Sequence, residues 1–455
     1  MSYTKVLLIL PLFSCLNAGI LEEAYLHGID KNSDMRIAHS AVALQIASSK
    51  NAQTLDSFNI QFDGYARYYI EQESAIKNPA FGLPESTVHV DFTKANANLT
   101  LSREIYNGYT SSLQSLGKKG ITKASHFLKQ NKQDFVYKIT TNYIEILKAY
   151  DTLLLSKSNA QVANYEYLQS VEDSHVGVID TIELDIANSK KVCIDVTTEL
   201  NLDSLNNALD KFKVLTKYDI HTIAKIREDL DYDKIPLQSF DNYSQLLRKH
   251  NPKLQQLQSG IEIAKEQVNL VSSQYSPSVN GQLGYEYTQN YTPMYLGDSY
   301  ESGFFVGASA VIPLYTGGRS DTSKQKAIAN VQCETLKKVK AEQELLLALV
   351  EQYRVLISSR RQIKAAQYRA KSLKKQFDQA QVRHEVGQVK AVEVAKIRYE
   401  YLTAKNQLHT FEYNFLLAYA TLEHISGIST EESLLSLENL LENNTIQINN
   451  LIRGL

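Results

Sequence analysis

Two periodicities alternate along the chain, and the same succession occurs twice. Residues 22–54 and 240–274 place apolar side chains at i, i+3 and i+4, which predicts a helix in each stretch. Strict alternation follows: Phe58, Ile60, Phe62, Ala66 and Tyr68 are interleaved with Asn59, Gln61, Asp63, Tyr65 and Arg67, then Val88, Val90 and Phe92 with His89 and Asp91. The counterparts are Val279, Leu283, Tyr285 and Tyr287, and then Phe304, Val306, Ala308, Ala310 and Ile312 with small residues between. A period of two predicts strands, and about ten residues per segment suits a tilted membrane strand. Each succession then enters a proline-free stretch, 85–235 or 314–455, that permits long helices.

Glycine divides those stretches. Gly177 is the only glycine between 121 and 259, and Gly387 the only one between 319 and 426. Each predicts the turn of a helical hairpin, with an outgoing arm of about 60 residues, or about 90 Å. Superposing the two glycines, at an offset of about 210 residues, exposes an internal repeat. Tyr143 falls on Tyr353, and Tyr106 and Gly108 on Tyr315 and Gly317; farther back, at a spacing of about 220 residues, Asn32 corresponds to Asn251 and Gly64 to Gly284. The expected organisation is a signal peptide at 1–18, a first repeat at 19–215, a linker at 216–240, a second repeat at 241–427 and a tail at 428–455.

Composition narrows the classes. The 48 Lys+Arg against 50 Asp+Glu leave no basic footprint, so no nucleic-acid partner is expected. Lys5 followed by the apolar run Val6–Leu16 and by Asn17-Ala18 reads as a secretory signal cleaved after Ala18. Cys15 follows Leu12-Phe13-Ser14, which loosely resembles a lipoprotein signal, although the phenylalanine departs from that pattern. No segment is long and apolar enough for a spanning helix, so any membrane crossing must use strands. Cys193 and Cys333 are expected to be unpaired, half-buried thiols. Neither a catalytic constellation nor ligand spacing among the ten histidines occurs, so no catalytic residue, metal or cofactor is expected.

Four strands cannot close a barrel, and an open edge in lipid leaves backbone groups unsatisfied. Such a chain must share a wall with copies of itself. Three copies make about twelve strands and begin to leave an aqueous lumen.

Three passages carry a family resemblance. They are Val311-Ile312-Pro313-Leu314-Tyr315-Thr316-Gly317-Gly318-Arg319, then Tyr275-Ser276-Pro277-Ser278-Val279, and Val386-Gly387 followed by Glu393-Val394. In this order, with the duplication, they resemble the TolC-like outer-membrane efflux and type I secretion family over essentially the whole mature length. The resemblance implies a mainly α fold with membrane β, in which four strands per chain form a shared 12-stranded trimeric barrel continued by a helical periplasmic barrel. It implies a homotrimer in outer-membrane lipid, working with an inner-membrane transporter of ABC, RND or MFS type and a periplasmic adaptor.

Its implied sites follow. Val176, Gly177, Val178, Val386, Gly387 and Gln388 would be hairpin tips that dock the adaptor. Glu183, Glu393, Lys396, His384 and Val389 would surround the periplasmic entrance, although lysine at 396, valine at 389 and histidine at 384 depart from the family's pattern. Tyr106, Gly108, Pro277, Pro313, Tyr315, Gly317 and Gly318 would form the strand–helix passages, and Phe58, Ile60, Phe62, Phe304 and Val306 would face lipid. The 216–240 segment and the tail would form a collar. A soluble periplasmic coiled-coil scaffold or adaptor is the alternative reading; it explains the long helices but not the paired alternating segments.

Overall fold

The computed structural model describes residues 19–76, 86–291 and 299–447, so the expected signal peptide, Cys15 and the end of the tail lie outside the described residues. In chain order the elements are α1 (Ile20–Gly28), α2 (Ser33–Thr54), β1 (Asn59–Ile76), β2 (Ser86–Asn107), α3 (Gly108–His175), α4 (Thr181–Thr216), β3 (Thr222–Ile226) and α5 (Phe240–His250). They continue with α6 (Pro252–Ser273), β4 (Ser278–Tyr291), β5 (Ser299–Val311), α7 (Arg319–Glu385), α8 (Ala391–Ser426), α9 (Glu431–Glu438) and β6 (Leu441–Gln447). Two compact units result, residues 41–125 with 257–337, and residues 1–40 with 126–256 and 338–455. Both draw on both sequence repeats, so the repeats are not separate bodies.

The first unit holds an antiparallel sheet in the order β1-β2-β4-β5. Its strands have 18, 22, 14 and 13 residues, longer than the ten expected, because ladder hydrogen bonds continue after the apolar alternation stops. β1 and β5 each have one free edge among the described residues.

In the second unit the single helix expected at the start of each repeat, 22–54 and 240–274, is broken into two, and asparagine explains the break. Asn32 Oδ1 accepts from the backbone N–H of Asp34 (2.9 Å) and Met35 (3.3 Å), starting α2 afresh, while its amide donates to the Leu215 carbonyl (3.1 Å). Asn251 repeats the device: it accepts from Leu254 N–H (3.0 Å) and donates to the Ile425 carbonyl (2.7 Å). A side-chain cap satisfies N–H groups that a helix start leaves orphaned, which is how one residue ends one helix and begins the next. The receiving helices, α4 and α8, also end alike, with Lys217 (φ 56°) and Gly427 (φ 75°) in the left-handed region.

The linker and tail, whose pattern is irregular in sequence, contain strands that pair with each other as β3 and β6. Their anchor is Tyr143, fully buried, whose hydroxyl donates to the Ala224 carbonyl (2.9 Å) and accepts from the Ala224 N–H (3.0 Å). Cys193 and Cys333 are free and exposed rather than half-buried.

Candidate functional site: an amphipathic sheet, two hairpin tips and a helical seam

The register of the sheet sorts its side chains. Residues directly opposite in an antiparallel ladder share a face. One row is Ile60, Leu101, Leu283 and Val306, and the next on that face is Phe62, Leu99, Tyr285 and Phe304. Tyr68, Tyr287, Tyr291 and Tyr300 follow on the same face in the rows beyond. The other face carries Asp63, Asn98, Glu286 and Gly303, then Tyr65, Asn96, Thr288 and Glu301. There the Asn96 amide donates to Glu286 (3.1 Å) and Thr288 (2.8 Å).

The apolar face is bare within one chain: Ile60 and Phe62 are each 71% exposed, Phe304 83% and Val306 84%. Phe58 lies just before β1, exposed, with the Arg103 guanidinium 5.0 Å from its ring centroid.

The passages into the helices differ between copies. Tyr106 ends β2 with Asn107, and Gly108 opens α3 directly. In the second copy Pro313 and the exposed Tyr315 lie in an irregular link, closed by Gly317 (φ 66°) and Gly318 (φ 80°) before α7. Pro277 sits immediately before β4, where its missing N–H removes no ladder bond.

The two tips share one backbone geometry. Val178 N–H reaches the Asp173 carbonyl (2.8 Å) and Gly177 N–H that of Ser174 (3.1 Å); Gln388 reaches Arg383 (2.9 Å) and Gly387 reaches His384 (2.9 Å). Both glycines have φ 74°, the left-handed closure that a Schellman end requires. Val176, Val178 and Val386 are exposed around them.

The chemistry of the tips differs. Asp180 caps α4 by accepting from Glu183 N–H (2.8 Å), whereas Lys390 precedes α8 with no side-chain cap. His384 and Val389, expected around the periplasmic entrance, meet each other, with Nδ1 2.7 Å from the Val389 carbonyl. Glu183 and Glu393 are exposed. Lys396 is exposed but paired within its own chain: Glu166 of α3 holds Lys396 of α8 at 2.9 Å and Lys190 of α4 at 2.6 Å. Partial burial raises the Glu166 carboxyl, and the hydrogen bonds from the two lysines outweigh it, leaving the group below its ordinary range.

Above Lys396, α3 and α8 run side by side as a polar seam that sequence reasoning missed. Its pairs are Gln161–Arg398 (3.0 Å), Asp151–His409 (2.7 Å), Asp151–Tyr413 (2.6 Å), Lys148–Asn414 (3.5 Å), Tyr137–Thr421 (3.1 Å) and Asp134–His424 (2.6 Å). The two residue numbers of every pair add to about 560, the signature of antiparallel helices in constant register. The signal was present as spaced polar residues inside apolar helices, but nothing in a linear pattern says which helix faces which.

Asp151 is 5% exposed. Burial raises its carboxyl, yet hydrogen bonds and charge from His409 and Tyr413 outweigh this and hold it below its ordinary range. Beside it Glu412, 7% exposed, is pushed up to about 7 by burial.

Residues 243–428 match the family described as outer membrane efflux protein. Outer membrane protein TolC of Escherichia coli (strain K12) is 21% identical over 386 residues, covering 79% of this chain and 77% of that protein. Among solved structures, CusC superposes with a TM-score of 0.68 at 15% identity, over 92% of this chain and 95% of that one. The Campylobacter jejuni CmeC outer membrane channel superposes with a TM-score of 0.64 at 17% identity, over 93% and 90%. The second repeat thus matches the outer membrane efflux protein family, and the chain as a whole shares the fold of these outer-membrane channels.

Proposed function

We propose that the chain is one protomer of a homotrimeric outer-membrane channel that exports substrates together with an inner-membrane transporter and a periplasmic adaptor. The observation that carries the reading is the two-faced sheet with open edges. Each large apolar side chain on its bare face is worth about 2 kcal/mol when moved out of water, so rows such as Ile60–Leu101–Leu283–Val306 require an apolar surround. Lipid supplies it. Lipid also forbids unpaired edges, so β5 of one copy must meet β1 of the next. Three copies make a barrel of about twelve strands, wide enough for water against the Asp63–Asn98–Glu286 face.

In this reading Phe58, Ile60, Phe62, Phe304 and Val306 face lipid, and the 71% exposure of Phe62 in the single chain is surface awaiting it. The valine-flanked turns at Gly177 and Gly387 dock the adaptor. Glu183 and Glu393 line the entrance in each copy, and their carboxylates around one axis favour cations. Lys396 acts on the entrance from behind, through Glu166, because its ammonium is already engaged. Opening the entrance by moving the α7–α8 hairpin away from α3 must break that pair.

The test is purification and planar-bilayer recording. A detergent-requiring oligomer with single-channel conductance is expected, with cation preference reduced in Glu393→Ala. A chain that purifies as a water-soluble monomer and conducts nothing would remove the channel reading and favour a periplasmic scaffold.

A further inference from the structure

Within the helical unit, side-chain pairs set the order of neighbours. Ser156–Thr198 (2.8 Å) joins α3 to α4, the seam joins α3 to α8, and Arg369–Gln407 (3.3 Å) joins α7 to α8. The order is α4, α3, α8, α7, and α4 and α7 are its outer members. The repeat relates α3 to α7 and α8 to α4. The face that α3 buries on α8 should therefore have a bare equivalent on α7, and the face of α8 a bare equivalent on α4.

Both equivalents are bare. On α7 the counterparts of Tyr137, Asp151 and Glu166 are Leu347, Arg361 and Gln376, all exposed, Leu347 by 72%. On α4 the counterparts of His409, Tyr413 and His424 are Glu199, Asp203 and Val214, again all exposed. The chemistry at the centre is reversed rather than random. In the internal seam an aspartate, Asp151, receives two donors from α8 one turn apart, His409 and Tyr413. At the bare faces an arginine, Arg361, stands where two acidic residues one turn apart, Glu199 and Asp203, would receive it. Within their own helix those two carboxylates repel each other, which a guanidinium between them reverses.

We propose that α7 of one copy packs antiparallel on α4 of the next in the register of the internal α3–α8 seam, with Arg361 between Glu199 and Asp203 of the neighbouring copy. The occupant of both bare faces is thus a second copy of this chain. The same α7–α4 contact, repeated around the ring, closes the helical wall. This rests on the trimer reading above and adds the register and the central ion pair.

The experiment is disulfide trapping in membranes, using the full-length chain with Cys193 and Cys333 changed to serine. Arg361→Cys with Glu199→Cys should link copies on mild oxidation, giving species of two and three chain masses on a non-reducing gel. Ser358→Cys with Ser204→Cys, the counterparts of Lys148 and Asn414, should give the same ladder with a milder substitution. Arg361→Cys with Val192→Cys, displaced by seven residues or about 10 Å, should give none. A ladder from the displaced pair alone, with the oligomer intact, overturns the register and leaves the channel reading standing. A link at single-chain mass for the first two pairs overturns it equally. A chain that is monomeric in detergent removes both.

Discussion

Glu412 offers a test of the buried polar cluster, because its effect has a defined sign and pH window. Its carboxyl, 7% exposed on α8, faces the Tyr232 hydroxyl, which has no well-aligned hydrogen bond of its own, with Asp151, His409 and Lys405 near it. Burial lifts it from 4.5 to about 7, a difference of about 3 kcal/mol between the two protonation states. Below pH 4.5 both folded and unfolded chains carry the proton, and the group costs nothing. As pH rises the unfolded chain releases its proton first, so the folded state loses stability steadily until the folded carboxyl ionises near pH 7.

Glu412→Gln keeps the shape and cannot ionise. Relative to the variant, the parent should lose about 2–3 kcal/mol of stability between pH 5 and pH 8. Asp151 does not obscure the result. Its carboxyl lies below the ordinary range, so its contribution is lost only as pH falls through that lower range, outside the window. The assay is guanidinium unfolding of the detergent-solubilised protein at several pH values, read as the difference between parent and variant. Parallel pH profiles would refute the assignment of a strained, buried carboxyl at 412.

Three further outcomes follow from the paired helix ends. Lys217→Gly should stabilise by about 0.5–1 kcal/mol, because relief of a left-handed backbone outweighs the added chain entropy; a change in unfolding midpoint with unchanged slope is the readout. Gly427→Ala, at the equivalent position, should instead destabilise by about 2 kcal/mol or more, because an added Cβ would stand 2.4 Å from the His250 carbonyl oxygen. Asn251→Ala should cost about 2 kcal/mol, a helix cap plus a buried hydrogen bond, and hydrogen exchange should rise first at the α6 N-terminus and at the end of α8.

Much of the molecule was legible because periodicity is local. The alternation from Phe58 to Tyr68 named both faces of β1 before any partner was known, and the lone glycines at 177 and 387 marked two turns whose φ values prove identical. The strand pair β3 and β6 was not legible. Five and seven residues are too few to show a period, and what orders them is a hydroxyl on Tyr143, about 80 residues away from Ala224 in sequence. The breaks at Asn32 and Asn251 were hidden for a related reason: asparagine is common on exposed helix faces, and only its bonds to Leu215 and Ile425 identify it as a cap.

The sequence by itself determined the order of the long helices and membrane-length strands, the duplication and the insufficiency of four strands, since each follows from which neighbours along the chain are apolar. Tertiary structure decided which helices face one another. The seam of Asp134, Asp151 and Glu166 against His424, His409 and Lys396 joins residues more than two hundred positions apart. Period and composition fix the face that a helix must bury, but a buried face is satisfied by any complementary surface. Only packing in three dimensions selects α8 for α3 and leaves α4 and α7 bare.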